Sequence, residues 1–66
     1  MSSLSLDIFK EDMSGNPVWI DAVGNLESAR SRLRQLVSVF PGEYFVFDQR
    51  SRRIVVRLGS EQIEWT

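Results

Sequence analysis

The stretch Pro41-Gly-Glu-Tyr-Phe-Val-Phe-Asp-Gln-Arg-Ser-Arg-Arg-Ile-Val-Val-Arg-Leu58 decides the fold. Residues 43–48 and 53–58 are dense in β-branched and aromatic side chains, which suit a pleated, half-buried surface. Gln49 to Arg52 between them read as a four-residue loop. That loop sets 48 against 53, 47 against 54, 46 against 55, 45 against 56 and 44 against 57. In this register Phe45, Phe47, Ile54, Val56 and Leu58 share one face, and the aliphatic character makes it the core face. The pairing also opposes Asp48 to Arg53, as an ion pair, and Tyr44 to Arg57, as a cation–π pair.

Working back from Pro41, the period becomes helical. Leu26, Ala29, Leu33, Leu36, Val37 and Phe40 form one apolar stripe, bordered by Arg30 and Arg34 on one side and Arg32 on the other. Asn25 is a good N-cap, and Glu27 in the first turn complements the helix dipole. Pro41 disfavours helical geometry at Phe40, so the helix is expected to end near Val39. Further back, residues 4–9 and 18–23 alternate with period two around the turn signal Ser14-Gly15-Asn16-Pro17. They predict a hairpin with Leu4, Leu6, Ile8, Val18, Ile20 and Ala22 on its aliphatic face. Forward of the quoted stretch, Gly59-Ser60 can turn residues 61–65 into a fifth, edge strand with Ile63 and Trp65 on the core face. A short helix capped by Ser60 is the competing reading.

The whole is an α+β domain over residues 1–66, a two-layer sandwich with one helix on one face of a four-stranded antiparallel sheet. A right-handed crossover leaves strands 2 and 3 parallel, so another strand lies between or beside them. The order 2-1-3-4 makes every neighbour antiparallel and puts 43–48 in the interior, with 1-2-4-3 as the alternative. The opposite, outer face is then expected to show Ser5, Asp7, Phe9, Trp19, Asp21, Val23, Tyr44, Val46, Asp48, Arg53, Val55 and Arg57. A solvent-facing sheet surface normally reads polar. Aromatics and aliphatics among charges mark a binding surface instead. Phe9, Trp19, Tyr44, Val46, Val55 and Arg57 are the candidate self-association residues. Cover by the chain's own hairpin loop, or by Ile63 and Trp65, is the alternative explanation for the aromatics.

Composition narrows the chemistry. The 66 residues include no Cys and no His, which removes disulfides, thiolate zinc sites and the commonest general base. Glu11-Asp12 beside Ser14, Gly15 and Asn16 lacks the spacing of a calcium loop. Asp7 and Asp21, expected on one open face, have no enclosed site in which one carboxyl could be held protonated. No catalytic residue, metal or cofactor is therefore assigned, and a non-enzymatic role is expected. The net charge of −1 hides segregation. Residues 1–28 are acidic but for Lys10, whereas residues 29–57 hold seven arginines against Glu43 and Asp48. Arg50, Arg52, Arg53 and Arg57 form a basic hairpin that, with nearby aromatics, fits a nucleic-acid binder as the alternative function. With neither a basic leader, an apolar run nor a membrane-length segment, the cytoplasm is the expected compartment.

The runs Asn25-Leu-Glu-Ser-Ala-Arg30 and Pro41-Gly-Glu-Tyr-Phe-Val-Phe-Asp48 resemble a group of small uncharacterised bacterial β-β-α-β-β proteins with a "PGEYFVFD"-like hairpin. The resemblance spans roughly residues 8–58 and implies the fold and no activity. That group often carries Thr-Gly in its final turn, where this chain has Ser51-Arg52, which implies a looser turn. Domains of about 60 residues bury only ~60% of their unfolded surface. A homodimer joined through the aromatic outer face or an exposed edge strand, or another protein partner, would supply the missing burial.

Overall fold

A computed structural model describes residues 4–59. Strands β1 (Leu6–Glu11) and β2 (Pro17–Val23) form the first hairpin, helix α1 (Leu26–Val39) follows, and β3 (Glu43–Asp48) and β4 (Arg53–Gly59) form the second. The sheet order is β2-β1-β3-β4 with every neighbour antiparallel. The α+β sandwich and the favoured strand order are those expected from the sequence. The fifth strand expected at 61–65 lies outside the described residues.

Local chemistry explains each boundary. The Asn25 side chain accepts the Ser28 N–H at 2.8 Å and caps α1. Strand β1 begins two residues later than its period suggests and runs on to Glu11, because Asp12 is what organises the hairpin loop. Its carboxylate accepts the Ser14 and Asn16 N–H groups, each at 2.9 Å, and Gly15 takes a φ of +85°. At the second turn Asp48 accepts the Arg50 N–H at 2.9 Å through its side chain. Its carbonyl accepts the Arg52 N–H at 2.7 Å, with Arg52 itself left-handed at φ 59°.

The core lies between α1 and the sheet: Leu6, Ile8, Ala29, Leu33, Val37, Tyr44 and Val46, with Ile20, Val23, Leu36, Val56 and Leu58 packed at its margin. Here the structure corrects the sequence reading. Tyr44 and Val46, expected outside, are 2% and 0% exposed beneath the helix. Phe45 and Phe47, expected inside, occupy the opposite face. The sheet register forces this, since β1 sets Ile8 opposite Val46 and Phe9 opposite Phe45. The helix exit reinforces it. The short Phe40-Pro41-Gly42 link brings Tyr44 under the end of α1, where its hydroxyl donates to the Phe40 carbonyl at 2.6 Å. A phenylalanine facing inward could not make that bond.

Two bulges account for the other differences. Ile20 is the extra residue between Trp19 and Asp21, and Val55 the extra one between Ile54 and Val56. Each reverses the facing of its strand beyond that point. Asp48–Arg53 and Phe47–Ile54 pair as expected, but Val46 then meets Val56, Phe45 meets Arg57 and Tyr44 meets Leu58. Val56 and Leu58 so reach the core side as expected, while Ile54 is 41% exposed. In β2 the bulge turns Asp21 and Val23 to the helix side and Ala22 outward. Asp21 there accepts from Arg32 on α1 at 3.2 Å, the ion pair found among the described residues. Asp48 is engaged with its own turn, and no Asp48–Arg53 ion pair forms among the described residues.

The Tyr44 hydroxyl gives a first measurable consequence. Tyr44→Phe should lower stability by about 1 kcal/mol, leaving the Phe40 carbonyl without its donor. Urea unfolding followed by circular dichroism measures the loss. Burial pushes the Tyr44 phenol above its ordinary 10.0, so it stays a neutral donor. Its share of stability is complete below pH ~10 and declines as the pH rises further.

Candidate functional site: the open sheet face

The face away from α1 is built from two rows of side chains that cross all four strands. The first runs Trp19, Phe9, Phe45, Arg57, and the second runs Ala22, Asp7, Phe47, Ile54. In the first row the Phe9 and Phe45 rings stack, with centroids 5.1 Å apart and planes 13° from parallel. The Arg57 guanidinium stands over the Phe45 ring at 5.8 Å. Trp19 closes the row on β2 with 56% of its surface exposed, so the hairpin loop does not cover it. Its indole N–H donates to Asp7 at 3.2 Å. The other Asp7 oxygen accepts from the Gln49 amide at 2.6 Å, which ties β1 to the second turn.

Of the expected self-association residues, the structure thus brings Phe9, Trp19 and Arg57 into one row. Tyr44 and Val46 are in the core, and Val55 is an exposed bulge residue on β4. Phe45, Phe47 and Ile54 join the face instead. The cation–π partner of Arg57 is Phe45, while Tyr44 receives Lys10 at 5.8 Å on the helix side. Glu11 and Glu43, adjacent in the sheet, follow the same alternation and stand at one end of the outer face. Arg50, Arg52 and Arg53 are exposed at the second turn, at the other end. Alternation from Phe47 and Ile54 places Asp48 and Arg53 on the helix side.

Asp7 and Asp21, taken from the sequence as face-sharing carboxylates, lie on opposite faces of the sheet. Each is already engaged, Asp7 by Trp19 and Gln49 and Asp21 by Arg32. Two open depressions flank the helix. One is lined by residues including Glu27, Ser31 and Arg32, the other by Lys10, Ile20, Leu36, Val39, Phe40, Pro41 and Tyr44. Neither encloses a carboxyl group away from water. No helix among the described residues is long and apolar enough to cross a membrane. Comparison with protein families, with curated proteins and with solved structures finds no match.

Proposed function

We propose that the chain is a non-enzymatic protein-interaction module of the cytoplasm that pairs with a second copy of itself through the open sheet face. The observation that carries this reading is the row Trp19–Phe9–Phe45. Three large aromatics cross the side of the sheet that the helix leaves bare. Trp19 is exposed and Phe9 and Phe45 are half-buried, and a contiguous apolar row of this kind is a docking feature in a small domain. The edges argue for the face over strand-to-strand pairing. Both edge strands, β2 and β4, carry a bulge, and β2 opens on Pro17, features that blunt an edge against another strand.

Nucleic acid is the second reading, favoured by the exposed Arg50, Arg52 and Arg53 at the second turn and by Arg57 farther along β4. The ring geometry weighs against it. Phe45 has Phe9 against it and Arg57 over it, which leaves Trp19 and Phe47, in different rows, as the rings for a base to stack on. Glu11 and Glu43 would also repel phosphates along that face.

Sedimentation equilibrium at about 100 μM separates these readings, well above the micromolar constants expected for an interface of modest area. We expect twice the chain mass of 7.6 kDa. Phe9→Ala should weaken association at least tenfold, whereas Arg34→Ala on the exposed helix surface should leave it unchanged. A 7.6 kDa species under these conditions overturns the proposal. Salt-sensitive binding of single-stranded oligonucleotides by that monomer would then support the second reading.

A further inference from the structure

We infer that the two copies face each other about a two-fold axis running along the strands, so that Trp19 of each meets Arg57 of the other. This rests on the sheet-face pairing proposed above and adds its geometry. In a face-to-face homodimer the axis lies in the plane between the sheets. It can run along the strands or across them, and the two choices bring different side chains together.

An axis along the strands reverses their order, placing β2 over the second copy's β4 and β1 over its β3. The first row then meets itself reversed. Its ends are chemical complements, an exposed indole on β2 and a guanidinium on β4, and its middle sets Phe9 against Phe45. Trp is the best ring for a cation, and Arg57, whose guanidinium stands over Phe45, is an exposed residue. The outer ends of the second row bring Ala22 against Ile54, both apolar, and its middle sets Asp7, already held by Trp19 and Gln49, against Phe47. An axis across the strands and between the rows lays the first row over the second without reversal. Phe9 then covers the Asp7 carboxylate, as Phe47 does about the first axis, but Arg57 covers Ile54 in place of the Trp19 indole, a worse use of its charge. The charge pattern therefore selects the first axis. Glu11 meets Glu43 in this arrangement, at the end of the face. There the ~30° crossing of packed sheets splays the strands and admits water.

The absence of cysteine makes the geometry directly testable, since introduced thiols report without background. Ala22→Cys and Ile54→Cys are both conservative in size at outer-face positions. Mixed in equal amounts at about 100 μM and oxidised, as the interface estimate above requires, they should give chiefly the Ala22–Ile54 mixed disulfide. Random collision would instead give the mixed and the two like pairs in statistical proportion, and the axis across the strands, which lays each strand over its own copy, would favour both like pairs over the mixed one. Either of those two results, in a protein that is dimeric and is weakened by Phe9→Ala, overturns the axis and leaves the sheet-face proposal standing. A monomer overturns both. Trp19→Ala and Arg57→Ala should each weaken association about tenfold, and the double variant by less than the product of the two. A double variant showing the full product removes the Trp19–Arg57 contact, and with it the inference.

Discussion

Leu33→Ala should leave the domain largely unfolded at 25 °C. Leu33 is fully buried at the middle of α1, where the helix meets Ile8 and Val46 in the core. Truncating such a leucine costs about 3–5 kcal/mol, from lost transfer energy and from the cavity left behind. A single core in a chain of this size rarely supplies more than about 3–5 kcal/mol in total. The two figures are equal, so the variant has little stability left. Leu26 lies on the same stripe but is 40% exposed, and Leu26→Ala should cost less than about 1 kcal/mol. Urea titrations by circular dichroism compare the two. A Leu33→Ala protein within about 1 kcal/mol of the parent would mean that α1 is not seated as described.

The helix and both hairpins were legible because each rests on chemistry local to a few residues, and the strand order because it is the one that sets every neighbour antiparallel with the most apolar strand inside. Asn25 caps, Pro41 stops, Asp48 and Arg53 face each other across a short turn. The composition of the two sheet faces was only half legible. Facing is a parity, and one inserted residue inverts everything beyond it. Ile20 and Val55 are such residues, and neither differs in type from an ordinary strand residue, so alternation passes over the bulge unseen. Val56 and Leu58 were placed on the core side by a parity that Val55 restored. Phe45 and Phe47 were placed there because a register without a bulge puts them on one face with Ile54, Val56 and Leu58. What sends them outward is long-range: the register with β1, and a tyrosine hydroxyl that caps the helix end. The spacing Phe40-Pro-Gly-Glu-Tyr44 did hold a signal. A tyrosine so soon after a helix stop is within reach of its last carbonyls. The outer-face aromatics of β1 and β2, Phe9 and Trp19, precede the bulge or lack one, and their placement was correct.

Neighbouring substitutions in β3 should therefore behave in opposite ways. Val46 is fully buried between Ile8 and Val56. Val46→Asp buries an unpaired carboxylate, a change whose cost exceeds about 4 kcal/mol and so equals or exceeds the whole stability of the domain. Amide spectra should collapse to the narrow dispersion of an unfolded chain. Phe45→Asp falls on the open face, where water and Arg57 can both solvate the new charge. It forfeits the Phe9 stack and some strand preference, about 1–2 kcal/mol together, and the fold should survive. Its effect should appear in association, because it sets a carboxylate in the middle of the row that meets the second copy. We expect a folded monomer, with dispersed amide resonances and the sedimentation of a single chain. The alternation read from sequence alone predicts the reverse, a folded Val46→Asp protein and an unfolded Phe45→Asp one. The pair thus tests which face of β3 the helix covers, and a folded, still dimeric Phe45→Asp protein would remove that row from the interface.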